Sequence, residues 1–505
     1  MEERPDVIVV GGGSSGAVIC RRLVDAGRRV LLLEAGGPDV NPAIHDPARL
    51  GELWHSPDDW DYFTVPQTHA ADRRLHLPRG KVLGGSHSLN AMIFVRCAPQ
   101  DYDHWESLGN PGWGWKDVLP VFKAIENYDG PPSELRGTEG VLDVTIEYDL
   151  HPIQQSIIDA SVEIGIEQNP DYNGDHLDGI SKMQLTIRDG KRLSTWRAYA
   201  EPVRESPRFR VLTGAWVHKL LLEGTRVIGV EVEREGQIER FEADQVVLAA
   251  GALDSPRILM RSGIGPGASL HDLGFEVLVD LPGVGQNLHD HLLSPVIFTT
   301  DTRRIDPPPP GTGITQTHSF WRSRPGLELP DTQPINFSVP MYEPWMNGPE
   351  WGFSLMAGIV SPLSRGSVIL GGDDPHAALL IDLNALAEEE DLRALAASVR
   401  QCREIGAASA LADGWGAREL YPGPDVDDDA VLRDYIRRTV ITYHHQVGTC
   451  RMGVDELAVV DPTLRVHGVE GLMVADASIM PRITTGNTNA PAIMIGEKAA
   501  DFLLH

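Results

Sequence analysis

The hydrophobic pattern opens with a fully apolar run, Val7–Val10, a glycine cluster, and then apolar positions at helical spacing over Ala17–Ala26. A second apolar run, Val30–Leu33, ends on an acid, Glu34. Short, wholly apolar runs bounded by glycine read as buried parallel strands, with a helix packed on them in between. From about Phe209 the pattern changes to short β runs: Arg210–Leu212, Val217–Glu223, Arg226–Glu233 and Gln237–Glu242. They predict a meander that ends in the apolar strand Gln245–Ala249, closed by Ala250-Gly251-Ala252. A helix is expected from Ser255, with Pro256 in its first turn. Between about Leu292 and Thr442, alternating runs at Ile335–Val339, Phe353–Ile359 and Gly366–Leu370 predict an antiparallel sheet with one face toward solvent or ligand. Glu388–Asp391 opens an amphipathic helix expected to reach Ile405, acids first as the helix dipole favours.

The cluster between the first strand and its helix is Gly11-Gly12-Gly13-Ser14-Ser15-Gly16. Strand, glycine turn, helix, strand and acid together make a dinucleotide-binding βαβ fingerprint. Gly11 allows the tight turn, Gly13 lets backbone approach a pyrophosphate, and Gly16 lets the helix pack closely. The helix start turns its free N–H groups to the phosphates, and Glu34 is placed to accept from a ribose hydroxyl. A meander returning by a strand that ends in glycine fits an FAD fold better than a plain NAD arrangement. A second glycine-rich stretch, Arg79–Met92, lets main chain lie against a flat or phosphorylated ligand. The irregular segment to Asp72, with Trp54, Trp60, Tyr62 and Phe63, either wraps a ligand or is an aromatic-anchored surface excursion. Asp306-Pro307-Pro308-Pro309-Pro310-Gly311 reads as a stiff surface connection.

At 505 residues the chain exceeds one ordinary core, so two or more domains are expected. A net charge of −28 argues against nucleic acid and anionic membrane as partners. No apolar run approaches the ~20 residues a membrane span needs, so stable membrane insertion is not expected. Cys20, Cys97, Cys402 and Cys450 are scattered, which suits buried thiols in a reducing compartment. The N-terminus passes directly into the first strand, so a cytoplasmic location is expected.

With these residues in hand, the chain resembles the glucose–methanol–choline (GMC) family of flavin oxidoreductases. Five motifs occur in family order: the N-terminal βαβ unit, Arg79–Met92, Gly251–Pro266, Tyr443–Met452 and Val474–Pro491. The resemblance implies an α/β fold (α+β overall). Its FAD-binding, Rossmann-like βαβ domain with a β-meander would comprise residues 1–150, 195–290 and 443–505. A substrate domain on an antiparallel sheet with helices would comprise residues 151–194 and 291–442. It implies oxidation of a small-molecule alcohol to an aldehyde or ketone, by proton abstraction and hydride transfer to flavin N5.

Carried over by position, Gly11, Gly13, Ser14, Ser15, Gly16, Glu34 and Ala35 would hold the adenosine diphosphate half, with Val217 at the adenine. Arg79, Leu83, Gly84, Gly85, Ser86, Asn90 and Ala91 would line the isoalloxazine. Gly251, Asp476 and Ala477 would meet the ribityl–pyrophosphate region, and Asn487 and Pro491 the flavin ring. His445 matches the active-site histidine and Asn489 its partner. His444 lies beside the cofactor, with its side chain expected to face away from the alcohol.

Leu89 stands where some members carry a histidine bonded to FAD, so non-covalent FAD is expected; His87 does not match that position. The position after the active histidine is Gln446. His444-His445 and His289-Asp290-His291 look like metal ligands, but no metal is expected, because adjacent residues on a strand face opposite ways. An alcohol oxidase on aryl, allylic or other apolar primary alcohols leads. A dehydrogenase of an alcohol or sugar using a quinone or other non-oxygen acceptor, and an FAD-retaining lyase or decarboxylase, stay open. Trp321, Phe337, Tyr342, Trp345, Trp351 and Phe353 are candidate pocket walls.

Overall fold

The computed structural model describes residues 4–505. A five-stranded, all-parallel sheet runs in the order Phe209–Leu212, Val30–Leu33, Val7–Val10, Gln245–Leu248, Leu472–Val474. Val7–Val10 and Val30–Leu33 are buried at every position, which is why they read as unbroken apolar runs. The expected first run of the meander therefore belongs elsewhere. Phe209–Leu212 pairs with Val30–Leu33, and the alignment continues as Gly214 and Ala215 donate to the carbonyls of Gly36 and Glu34. The meander proper has three strands, Trp216–Glu223, Arg226–Arg234 and Gln237–Glu242.

Two helices start earlier than the sequence pattern predicts. The first spans Ser14–Asp25, because the glycine turn hands directly into it. The second spans Gly251–Arg261, so Pro256 lies inside the helix and not in its first turn. A proline there leaves the carbonyl four residues back without its intrahelical donor. That carbonyl belongs to Ala252, and the Thr449 hydroxyl donates to it at 2.6 Å.

The larger sheet is antiparallel, in the order Ala417–Tyr421, Leu292–Thr300, Gly352–Ile359, Ile335–Phe337, Thr315–Phe320, Gly179–Lys182, with Ile441–Thr442 also on the Leu292 strand. Helix Glu389–Ala407 covers one face, where Ser398 Oγ accepts from the Gly358 N–H at 3.1 Å. The other face turns Leu293, Ile335, Phe337 and Met356 into a large cavity. The expected run at Gly366–Leu370 lies off this sheet: Ser367–Ile369 forms a separate hairpin with Leu380–Asp382. Among the described residues no helix is long and apolar enough to cross a membrane.

Candidate active site

One continuous cavity runs from the glycine turn to His445. At the turn, φ is +102° at Gly11, and a Cβ there would lie 2.4 Å from the Ala249 carbonyl oxygen. A Cβ at Gly16 would lie 1.9 Å from the Gly11 oxygen. So Gly11 and Gly16 are set by backbone packing, while Gly13 opens on the cavity with only Gly85 Cα, 3.8 Å away, in reach of a Cβ. The helix begins at Ser14 with no side-chain cap and no acid in its first turn. Its first N–H groups are thereby left for an anionic ligand.

Glu34 is buried and accepts from the N–H groups of Gly12 and Gly36, both at 2.8 Å. Burial pushes its carboxyl up to about 7, against those two bonds. Asp476 accepts from Gly251 N–H at 2.9 Å and from Ser255 Oγ at 2.6 Å, tying the C-terminal strand to the Gly251 helix.

Of the expected cofactor contacts, Gly16, Leu83, Gly84 and Pro491 do not line the cavity; the others do. Gly84 donates to the Gly12 carbonyl, and Leu83 packs where a Cβ on Gly12 would stand, so both brace the turn from behind. Pro491 is buried in the helix Asn489–Leu504. Asn90 lines the cavity with its Oδ1 taken by Met92 N–H and Arg192. The irregular segment supplies Trp54 and Trp60 to the cavity, so it wraps a ligand site, while Asp306–Gly311 takes no part. Trp216, Asp254 and Arg257 also line it and escaped the sequence reading. The Arg257 guanidinium lies 4.8 Å from the Trp216 ring centroid and 3.0 Å from Asp254.

At the far end His445 is buried against the Tyr443 ring, centroids 4.6 Å apart. Its Nδ1 meets His291 Nδ1 at 2.9 Å, and its Nε2 meets Asn487 Nδ2 at 3.2 Å. Gln333 Nε2 donates to Asn487 Oδ1 at 2.9 Å, which fixes the amide with its N–H toward His445. With the amide so turned, Nε2 of His445 accepts from Asn487 and the ring proton is assigned to Nδ1, facing His291. Burial first, then the neighbouring His291, His444 and Arg79, hold the imidazole well below its ordinary value and hence neutral. Asp290 accepts from the His445 backbone N–H at 2.7 Å and from the Gln446 amide, which gives Gln446 its place. Burial pushes the Asp290 carboxyl up to about 7.

One expectation changes here. Asn489 does not reach His445; its amide donates to Ser14 Oγ at 2.8 Å, and Asn487 stands beside the histidine instead. The helix starting at Asn489 rotates that side chain toward the glycine turn. His444, with φ +66°, lines the cavity edge-on to Trp54 at 5.1 Å, its Nδ1 on the Thr442 hydroxyl. His289, by contrast, is structural, with Nδ1 on the Asn287 carbonyl and Nε2 accepting from Ile483 N–H. His87 is buried on Thr186 and Thr195, outside the cavity. Of the six candidate wall aromatics only Phe337 lines the cavity; Phe353 stacks on Phe298 in the core, and Trp345 is exposed.

The sequence pattern described as GMC oxidoreductase matches residues 5–293 and 362–496. The chain belongs to the GMC oxidoreductase family. It is 39% identical over 525 aligned positions to an oxygen-dependent choline dehydrogenase of Brucella anthropi, covering 99% of this chain and 95% of that one. The fold superposes on a pyridoxine 4-oxidase from Mesorbium loti with a TM-score of 0.94 and 36% identity, covering 99% of each chain. A fungal aryl-alcohol oxidase shares the fold, with a TM-score of 0.86, 24% identity, and coverage of 100% of this chain and 99% of that one. This GMC oxidoreductase is thus an FAD enzyme acting on alcohols. The turn, the uncapped helix and Glu34 fit that cofactor.

Proposed function

We propose that this GMC oxidoreductase is an oxidase of apolar primary alcohols, aryl or allylic, with His445 as its base and molecular oxygen as the acceptor. The observation that carries the reading is the neutral imidazole of His445, which lines the cavity with its Nε2 against the Asn487 amide, where an alcohol hydroxyl can take that amide's place. Bound FAD would supply the acceptor for hydride leaving the carbinol carbon.

An alcohol is too weak an acid to ionise alone at neutral pH, so a base must take its hydroxyl proton. Nε2 of His445 is placed to do so, and the Asn487 amide can donate to the alcohol oxygen as charge builds there. His291 and Asp290 act through His445, one on its Nδ1 and the other on its backbone N–H. Asn489 acts on the cofactor side, through Ser14.

Leu293, Ile335, Phe337, Met341, Met356 and Ile441 make the chamber apolar, and among the described residues its carboxylates, Glu34, Asp254 and Asp476, lie on the nucleotide-binding segments. Such walls favour a neutral apolar alcohol over a sugar or a quaternary ammonium. Similarity to a pyridoxine 4-oxidase supports the oxidase reading. FAD is held without a covalent bond, since Leu89 offers no nucleophile to the cavity it lines.

A panel of benzylic, allylic, sugar and choline substrates, each mixed anaerobically with the enzyme, tests the substrate class by flavin bleaching. Faster bleaching by choline or glucose than by any benzylic or allylic alcohol would reject it. Reoxidation by air tests the acceptor. Yellow colour that stays with acid-precipitated protein would reject the non-covalent assignment.

A further inference from the structure

Behind the Trp216 wall of the cofactor cavity lies a cluster that alcohol oxidation does not use. His218 belongs to the meander strand Trp216–Glu223, Glu233 to the adjacent strand Arg226–Arg234, and His376 to the loop between Ser367–Ile369 and Leu380–Asp382. His218 Nε2 and His376 Nε2 lie 3.1 Å and 2.9 Å from the same carboxylate oxygen, Glu233 Oε2. All three ligand atoms fall within 4.8 Å of one another.

Three features set this cluster apart from a surface ion pair. His218 is only 6% exposed, and its Nε2 has no aligned hydrogen-bond partner although it points into the cluster. The pairing register slips between Val217 and Lys219, which makes His218 the bulged residue, and bulges re-aim side chains. Trp216 stands edge-on to both rings, at 5.4 Å from His218 and 4.7 Å from His376, and holds them converged.

We propose that His218, Glu233 and His376 form a binding site for a divalent transition metal of the zinc class, with solvent in the fourth position. Two imidazoles and one carboxylate are a ligand set zinc takes. With bonds of ~2.0–2.1 Å, tetrahedral ligands stand about 3.3 Å apart, close to the two nitrogen–oxygen separations observed. Lone pairs aimed at a common centre also explain why His218 and Glu233 approach without aligning on each other. The nearby cations are otherwise engaged: Arg257 on Asp254 and Trp216, Arg261 on the Asp373 carbonyl. A bound ion would pin the His376 loop to the meander and stiffen the strand that carries Trp216 and Val217 into the cofactor cavity. The site is independent of the alcohol chemistry, so its failure would leave the proposed function untouched.

The test uses FAD-loaded enzyme, free of any histidine tag and stripped with chelator, and the probe is zinc chloride. Bound zinc is measured after desalting and by calorimetry for wild type, His376→Ala and His55→Ala. His55 belongs to a second group, with Asp61 and His76, that could also attract metal. Wild type and His55→Ala should each bind one zinc and gain thermal stability. His376→Ala should bind at least ~10–100-fold more weakly, the loss seen when even a partner behind the ligands is removed, and should show no thermal gain. No zinc uptake by wild type, equal uptake by His376→Ala, or loss in His55→Ala instead, would each overturn the proposal.

Discussion

The two ends of the cavity, proposed above to take the nucleotide and the alcohol, are built on different principles. The nucleotide end is made mostly of backbone: Gly11, Gly13, Gly85 and the first N–H groups of one helix, supplied by two glycine-rich stretches. The alcohol end is made of side chains from separate segments, with His445, Asn487, His291 and Gln333 linked in one hydrogen-bonded set. A backbone site depends on residues that must be absent, a side-chain site on residues that must be present. Substitutions should therefore fail in opposite ways at the two ends, by blocking at one and by deletion at the other.

Deletion at the alcohol end is expected to have the largest effect. His445→Ala should keep its FAD and slow flavin reduction by the best alcohol ~10²–10⁴-fold, the usual contribution of a general base. Anaerobic stopped-flow measures this, and reduction within a few-fold of wild type would erase the distinction between the ends.

Blocking at the nucleotide end comes next. Gly13→Val puts a branched side chain on the open side of the turn, so the purified protein should carry little FAD yet remain folded. Full flavin content by absorbance would show that backbone approach is not required there.

A pair of variants sharpens the comparison further. Asn487→Ala removes a hydrogen bond to a developing charge, which is worth about 1.5–3 kcal/mol, or roughly ten- to a hundredfold in the rate of flavin reduction. Asn489→Ala should lower FAD retention through Ser14 and alter that rate less. The reverse ranking would restore Asn489 as the partner of His445.

The smallest expected change is with pH. Burial keeps the His445 pKa well below 6.5, so its basic form persists as pH falls through that value. Flavin reduction should hold across pH 6.5 and decline only in more acid solution. Asp290, bonded to the His445 backbone, has its carboxyl pushed up to about 7, so a loss centred at 6.5 that persists in Asp290→Asn would mean a solvated imidazole.

The contrast also explains what the sequence could reveal. Glycine spacing between a strand and a helix has few other uses, so the βαβ unit was legible at Val7–Glu34. Asn487 and Asn489 were told apart only by family position, which put Asn489 beside His445, because two residues apart on an extended chain would share a face. Only the helix start at Asn489 sends them to different neighbours. Asp290 and His291 were visible as chemistry-bearing residues, but their bonds to His445 cross more than 150 positions of chain. The chamber walls were hardest to see. They come from the sheet face around Ile335–Phe337 and Gly352–Ile359, where apolar residues carry no motif, and these strands fall between the two stretches that match the family pattern.

The parallel sheet has one further consequence, for the order in which the molecule can be made. Its middle strand, Val7–Val10, is synthesised well before the edge strand Leu472–Val474 and the helix bearing Asn489. Until they arrive, Gly251 lacks Asp476 and Ser14 lacks Asn489. A nascent chain can thus display the whole glycine fingerprint without being able to close on a flavin. Closure of the cofactor site therefore waits on the segment from Leu472 to Asn489, the part of the chain that holds Gly251 and Ser14 in place.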